Sequence, residues 1–124
     1  MKNNNVLVID ADDQQILAVC SLLKEHLYEP VQAGSLTEMD RYLGKRECRA
    51  VIINLDSLSV TNKIFRELKR KKPEINIIAL SGRQFHPELE DALRENISVC
   101  LGKPVDPDEL IYWLNSIFTN NEKP

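Results

Sequence analysis

The chain has 124 residues, a formal net charge of -3, and 43% hydrophobic and 28% charged residues. This length suits one domain with its own core, and the composition excludes disordered and fibrous proteins. The small negative charge argues against a general nucleic-acid binder. No apolar run approaches the roughly 20 residues of a membrane helix, and the first run, residues 6–9, is too short for a signal peptide. We therefore expect a soluble, cytoplasmic protein.

Short apolar runs alternate with helical patterns along the chain. Nearly continuous apolar runs are typical of strands buried on both faces, and they occur at residues 6–9, 50–53, 75–80 and 98–101, with a weaker run at 30–33. Between them, apolar residues recur at three- and four-residue steps, which predicts helices. These positions are Ile16, Val19, Leu23, Leu27, Ile64, Leu68, Leu89, Leu93, Leu110, Leu114 and Ile117. Strict alternation predicts parallel strands with helices on both faces.

Capping signals mark several helix starts. Ser35 and Glu38 have capping-box spacing, and residues 106–109 offer an N-cap, a first-turn proline and two acids. Asp12 and Asp13 are predicted to cap the first helix. We predict one domain over residues 1–119, with residues 120–124 as a tail or the start of a linker.

Cysteine, histidine and basic residues give no sign of a metal or nucleic-acid site. The three cysteines are far apart and have no C-x-x-C spacing, so we expect reduced thiols. His26 and His86 lack ligand-like spacing. The basic run within residues 63–72 is typical of a solvated helix face.

Polar residues follow the predicted strands. In an open parallel sheet the binding crevice lies beyond the carboxyl ends of the strands, so these residues are the candidates for function. They are Asp10, Ala11, Asp12 and Asp13 after the first strand, Asn54, Leu55 and Asp56 after the third, Ser81 and Gly82 after the fourth, and Gly102, Lys103 and Pro104 after the fifth.

These segments resemble the receiver domains of two-component signalling, the CheY-like superfamily. VLVIDADD is similar to the family's first strand and acidic cluster, and AVIINLD to the third strand that normally ends in a phosphoacceptor aspartate. IIALSGR is similar to the fourth strand with its Ser/Thr, and VCLGKPVDPDEL to the fifth with its Lys-Pro. The resemblance covers essentially the whole chain. It implies a flavodoxin-like, doubly wound sheet of five parallel strands in the order 2-1-3-4-5, with five helices in three layers.

The resemblance also implies a chemistry from which this chain departs. In the family, two acids and the phosphoacceptor hold Mg²⁺, while the lysine and the hydroxyl contact the phosphoryl group. Here the second acid position is Ala11, the phosphoacceptor position is Asn54, and the switch position, aromatic in many relatives, is Cys100. Alanine has no ligand to offer and an amide is not a useful nucleophile. We therefore expect a degenerate receiver with no cofactor, or at most weak Mg²⁺ at Asp10.

The remaining site residues leave alternatives open. Asp10 and Lys103 are either remnants of catalysis or a structural ion pair, and Ser81 is either a switch hydroxyl or a turn former. Asp56 could replace the phosphoacceptor, but one two-residue step along a strand is about 6.5 Å, too far to keep the same geometry to Lys103. A flavodoxin-like mononucleotide binder is disfavoured, because the acids at residues 10–13 would repel a phosphate.

We therefore predict a protein-interaction module rather than an enzyme. The expected partner is a signalling protein such as a histidine kinase or an output domain, with no nucleic acid and no membrane. The fourth helix, fifth strand and fifth helix are the predicted surface, which could also form a homodimer. Tyr112 and Trp113 lie off the apolar stripe of the last helix, and Trp113 is the predicted interface anchor.

Overall fold

The computed structural model describes residues 4–121, with side chains for residues 4–119. Five strands alternate with five helices in the predicted order. The strands are β1 (Asn5–Ile9), β2 (Glu29–Ala33), β3 (Ala50–Asn54), β4 (Asn76–Ser81) and β5 (Val99–Gly102). The helices are α1 (Asp13–Glu25), α2 (Leu36–Leu43), α3 (Asn62–Lys71), α4 (Glu90–Glu95), which follows a 3-10 turn at Pro87–Leu89, and α5 (Pro107–Asn121).

All five strands pair in parallel in the order β2-β1-β3-β4-β5. The flavodoxin-like topology predicted from the sequence is therefore confirmed. Strand order reverses at β1, which pairs with β2 on one side and with β3 on the other. A crevice opens at the carboxyl ends of the strands where such a reversal occurs.

Helices cover both faces of the sheet, which explains why the strands are apolar without interruption. Successive residues of β1 point to opposite faces. Leu7 and Ile9 join the core beneath α2, α3 and α4, whereas Val6 and Val8 join the core beneath α1 and α5. The predicted apolar stripe of the last helix, with Leu110 and Leu114 fully buried, fills the second core.

The predicted N-caps are confirmed except at Asp13, which is the first residue of α1 and makes no capping bond. Asp12 Oδ1 accepts hydrogen bonds from the Gln14 and Gln15 amides, at 3.0 and 3.3 Å. Ser35 Oγ accepts from the Glu38 amide at 3.1 Å, and Asp106 Oδ1 accepts from the Asp108 amide at 2.9 Å. Each cap satisfies a backbone donor that the first turn of its helix leaves without a partner.

The end of α1 differs from the sequence prediction. Leu27 was assigned to the apolar stripe, but it is 83% exposed and has φ 67°. The Leu27 amide donates to the Lys24 carbonyl and the Tyr28 amide to the Leu23 carbonyl, which is a Schellman motif. The helix therefore ends before Leu27, which occupies the left-handed position that usually favours glycine.

The C-terminal helix extends beyond its predicted end. α5 continues to Asn121, so it enters the segment that the sequence suggested as a tail, and residues 122–124 lie outside the described residues. Within residues 4–121, no helix is both long and apolar enough to cross a bilayer.

Candidate functional site

The predicted site residues gather at the carboxyl edge of the sheet. Asp10, Asn54, Ser81 and Lys103 come from the ends of β1, β3, β4 and β5, which meet there because the strands are parallel. Direct hydrogen bonds join the four strand ends into one polar cluster. This cluster has a buried half around Asp10 and a more exposed half around Asp56.

Asp10 anchors the buried half. It is only 3% exposed, and both of its carboxylate oxygens already accept hydrogen bonds from the protein. Oδ1 accepts from the Ser57 hydroxyl at 2.8 Å and from the Asp12 amide at 2.9 Å, while Oδ2 accepts from Asn54 Nδ2 at 3.0 Å. These neutral donors compensate a buried charge that would otherwise be costly.

Asn54 bridges the two halves. Its Nδ2 donates to Asp10, and its Oδ1 accepts from Lys103 Nζ at 3.0 Å and from the Asp56 amide at 2.9 Å. The direction of the amide is therefore set by one acceptor on one side and two donors on the other. An aspartate at position 54 could not make the bond to Asp10, because an ionised carboxylate has no hydrogen to donate.

Asp56 forms the exposed half, and its contact with Lys103 differs from what the sequence indicated. Its Oδ2 lies 2.8 Å from Lys103 Nζ, so the ion pair joins Lys103 to Asp56 rather than to Asp10. Asp56 lies closer to Lys103 than the spacing along a strand predicted, because residues 55–57 form a turn instead of continuing the strand. That turn brings Asp56 back over the end of the sheet, within reach of the lysine.

Two more donors bind the same carboxylate. The Gly82 amide donates to Asp56 Oδ2 at 2.7 Å, and the Ser81 hydroxyl donates to Oδ1 at 3.1 Å. Burial acts to raise the pKa of Asp56, but the hydrogen bonds from Lys103, Gly82 and Ser81 and the lysine charge outweigh it and lower that pKa to about 2. The carboxylate is therefore held firmly in its ionised form.

Ser81 links Asp56 to the segment that follows β4. It is 2% exposed, and its oxygen accepts from the Arg83 amide at 3.0 Å and lies 2.7 Å from His86 Nε2. Arg83 Nη2 lies 2.8 Å from His86 Nδ1. Because a guanidinium can only donate, Nδ1 accepts, which leaves the ring proton on Nε2, facing Ser81. Ser81 thus has a specific bonding role beyond that of a turn former.

Ser57 and His86 are site residues that the sequence analysis missed. Ser57 lies in the turn after β3, where it donates to Asp10 and accepts from the Ala11 amide at 3.1 Å. His86 is 4% exposed and was considered only as a metal ligand. Neither lies in a periodic segment, so the one available signal was the polar residue itself close to a strand end.

The other predicted positions contribute less to the cluster. Ala11 is exposed and contributes its backbone amide, and Asp12 caps α1. Cys100 is exposed, and desolvation of its sulfur together with the Asp56 charge raises the pKa of its thiol. Such a thiol is weakly reactive at neutral pH. Pro104 follows Lys103 through a cis peptide bond.

The donor set of the cluster does not fit a magnesium ion well. Among residues 4–121, no three His, Cys, Asp or Glu side chains are grouped so as to hold a metal ion. Both Asp10 oxygens are occupied by protein donors, and Asp56 is paired with Lys103. Magnesium prefers near-octahedral oxygen coordination, usually by one or two carboxylates together with several waters, and the hydrogen bonds and the ion pair compete with it for these oxygens.

The aromatic pair of α5 is arranged differently from the prediction. Trp113 is partly buried and packs against the core beneath α1 and α5, so it is not a fully exposed anchor. Tyr112 is the exposed member at 66%, and its ring meets the Trp113 ring edge-on at 5.5 Å. Trp113 lies three residues after Leu110 and four before Ile117, which places it at the border of the buried stripe.

Three of the six basic residues within residues 63–72 have local partners. Arg70 pairs with Glu67 at 2.9 Å, and Lys72 lies 3.8 Å from Glu47. Lys69 Nζ donates to the Ile75 carbonyl at 2.7 Å. These contacts are local, and residues 63, 66, 70 and 71 are exposed, in agreement with the predicted solvated helix face.

Searches against protein-family models and against curated proteins find no match to this chain. Solved receiver domains, however, have the same fold. The receiver domain of an HD domain-containing protein from Pseudomonas fluorescens Pf-5 is 21% identical, with a TM-score of 0.86 and coverage of 96% of this chain and 97% of that one. The CheY-like receiver from Methanospirillum hungatei JF-1 is 15% identical, with a TM-score of 0.86 and coverage of 98% of each chain. The beryllofluoride-activated NtrC4 receiver domain, a dimer, is 17% identical, with a TM-score of 0.84 and coverage of 94% and 98%. The chain therefore has the CheY-like receiver fold.

Proposed function

We propose that this protein is a receiver-like module of two-component or phosphorelay signalling that acts by binding a protein partner without being phosphorylated itself. The similar solved structures are receiver domains, which supports a signalling role for this fold. The observation that carries the second half of the proposal is the position of Asn54. Its amide lies between Asp10 and Lys103 at the end of β3, with no carboxylate available there to accept a phosphoryl group.

The chemistry of phosphoryl transfer supports this proposal. Transfer needs a nucleophile, neutralisation of the phosphoryl charge, and usually a metal ion. The Asn54 amide is a poor nucleophile, and its oxygen already accepts two hydrogen bonds. Asp10 is engaged at both oxygens, so we expect Mg²⁺ to bind only weakly there, in the millimolar range or above, on the order-of-magnitude reasoning for oxygen sites with little charge.

A second candidate function is phosphorylation on Asp56, and its contact with Lys103 at 2.8 Å favours it. Against it, the lysine, Ser81 and Gly82 all bind the carboxylate itself. The same donors would have to leave Asp56 to neutralise an incoming phosphoryl group. A carboxylate whose pKa is lowered to about 2 is also a weaker nucleophile than an ordinary aspartate.

Intact-mass spectrometry after incubation with acetyl phosphate and Mg²⁺ tests the choice. We expect the wild-type protein to gain no phosphoryl group. A hydroxylamine-labile gain in the wild type that disappears in Asp56→Asn would establish the second candidate and overturn the first. Asn54→Asp serves as the matched variant, because it restores a carboxylate at the end of β3 while Ala11 still lacks one.

The partner is proposed to be a signalling protein such as a histidine kinase or an output domain, or a second copy of the chain. α4, β5 and α5 are the proposed surface, with Tyr112 as its exposed aromatic residue. One of the solved structures with this fold, the NtrC4 receiver domain, is a dimer. Sedimentation of Tyr112→Ala tests self-association, and a loss of about 2 kcal/mol in association free energy is typical of an interface anchor. If both the wild type and the variant remain monomeric at high concentration, a second copy is not the partner.

A further inference from the structure

Three hydrogen-bond donors at the ends of two strands converge on the carboxylate of Asp56, which lies in the turn after β3. Lys103 Nζ comes from the end of β5, and the Ser81 hydroxyl and the Gly82 amide come from the end of β4. All three lie within 3.1 Å of a carboxylate oxygen. An ammonium, a hydroxyl and a backbone amide aimed at one point make a binding site for an oxyanion. We name these three donors the anion cradle.

The Ser81 hydroxyl couples the anion cradle to residues 83–86, which follow Gly82. Ser81 has one hydroxyl hydrogen, and two acceptors lie within reach: Asp56 Oδ1 at 3.1 Å and the Arg83 carbonyl at 3.2 Å. The Asp56 charge makes it the stronger acceptor. With its hydrogen on Asp56, the Ser81 oxygen is free to accept from the Arg83 amide and from His86 Nε2, which fixes both residues.

The contacts continue as far as the start of α4. The Arg83 guanidinium binds His86 Nδ1 at 2.8 Å and Glu88 Oε1 at 2.7 Å, and Glu88 lies in the 3-10 turn before α4. Phe85, in the same segment, is 75% exposed. An unbroken series of hydrogen bonds therefore runs from the Asp56 turn to a segment that presents a large aromatic side chain to solvent.

We propose that Asp56 is a built-in anion that occupies the anion cradle and holds residues 82–86 in one conformation, so that no added anion is needed to order this segment. The inference deepens the proposed function and rests on it, because a module that is not phosphorylated needs another means of setting its working conformation. The carboxylate is supplied by the chain itself, so the segment that carries Phe85 is permanently ordered. A partner would then meet one fixed surface.

Amide NMR and hydrogen exchange on Asp56→Ala test whether Asp56 orders residues 82–86 in this way. We expect the Gly82, Arg83 and His86 amide signals to shift, and the Gly82 and Arg83 amides to exchange on the order of 10-fold faster, because Ser81 loses its charged acceptor. Inorganic phosphate should then enter the vacated cradle and return these signals toward their wild-type positions in a saturable way. Wild-type protein should not respond, since its cradle is filled.

Matched variants keep the test specific. Asp13→Ala removes an exposed carboxylate near the same edge of the sheet that has no contact with the cradle, and it should change neither exchange nor the phosphate response. Lys103→Met in the Asp56→Ala background should abolish the response to phosphate. If Asp56→Ala does not fold, Asp56→Asn, which keeps the volume and removes the charge, replaces it in the exchange measurement, and Asp56→Ser replaces it in the phosphate titration.

Two results would overturn the proposal that Asp56 orders this segment. One is unchanged amide signals at residues 82–86 in a folded Asp56 variant, and the other is equal phosphate binding by the wild type and the variant. Both can be distinguished from failure of the proposed function. Phosphorylation of the wild type is detected by mass alone and does not depend on the exchange rates of this segment.

Discussion

The two halves of the site stabilise a carboxylate with different kinds of donor. Asp10 is 3% exposed and is bound only by neutral donors, namely Ser57, the Asp12 amide and Asn54. The Asp56 side chain is 28% exposed and receives the one ammonium of the cluster. Lys103 reaches the buried half only through the Asn54 carbonyl oxygen. Asn54 therefore lies between a buried acid and a more exposed ion pair at one edge of the sheet.

The largest loss of stability should come from replacing Asn54, which bridges the two halves, with an acid. Asn54→Asp replaces the Nδ2 donor, 3.0 Å from Asp10 Oδ2, with a carboxylate oxygen. Two like charges in a buried site disfavour each other, and we expect a loss of about 2–3 kcal/mol in the free energy of unfolding without metal. Urea denaturation measures this loss of stability with and without Mg²⁺. The Mg²⁺ concentration should be on the order of 10 mM, because such sites bind the ion weakly. Mg²⁺ should recover part of the loss, because a cation relieves the repulsion.

Asn54→Gln provides the control, since it keeps the amide but lengthens the side chain. It should lose stability without gaining any dependence on Mg²⁺. An Asn54→Asp protein as stable as the wild type in the absence of metal would show that the Asn54–Asp10 bond does not organise the buried half.

A smaller loss is expected when the buried half loses a neutral donor. Ser57 donates to Asp10 at 2.8 Å and accepts from the Ala11 amide at 3.1 Å, so Ser57→Ala leaves two groups without that partner. We expect about 1–2 kcal/mol of destabilisation. Ser59→Ala, at an exposed serine two residues away, should have little effect in the same thermal melts. Equal effects of the two substitutions would mean that Asp10 does not depend on the hydroxyl.

The exposed half should show the smallest loss of stability, and this loss should depend on pH. We expect Asp56→Asn to cost about 1 kcal/mol at pH 7, reduced from the value for a buried ion pair by solvent screening. The folded pKa of Asp56, about 2, is lower than the ordinary value of 3.8. The Asp56 contribution is therefore complete above the unfolded pKa and is lost as the pH falls through 4 toward 2.

Urea denaturation of the wild type and of Asp56→Asn between pH 7 and pH 2 checks this sign. The difference between the two proteins should shrink as the pH falls. Asp13→Asn, at an exposed acid outside the cluster, is the control and should change the stability at pH 7 only slightly. A gap between wild type and Asp56→Asn that persists unchanged at pH 2 would mean that the ionised carboxylate is not what stabilises the exposed half.

The sequence was sufficient for the fold, because each signal was local. The apolar runs located the strands, and Asp12, Ser35 and Asp106 marked helix starts that the structure has. Leu27 was the exception: it keeps the helical spacing, but the helix ends in a Schellman motif without the glycine that usually announces one.

The site was predicted less completely, for a different physical reason. Strand ends in a parallel sheet converge, so Asp10, Asn54, Ser81 and Lys103 could be placed together from the sequence. Which partners they choose depends on the turn at residues 55–57, and that turn brings Asp56 to Lys103. His86 lies in a loop whose sequence has no periodic hydrophobic pattern. Loop geometry of this kind is set by the assembled contacts and not by a local pattern.

The central claim is that the Asp10 and Asp56 carboxylates at this edge of the sheet have their hydrogen-bond and ionic partners within the protein. A titration of wild-type protein with Mg²⁺ and beryllofluoride, followed by amide NMR, tests this claim most directly. We expect the Asn54, Ser81, Gly82 and Lys103 amide signals to keep their positions apart from weak, non-saturating shifts with Mg²⁺. Asp10 and Asp56 already have protein donors at both oxygens, so neither ion finds a free carboxylate. A new, saturable set of signals at these residues would contradict the account, because it would show that the cluster opens to accept a metal ion and a phosphoryl-like group.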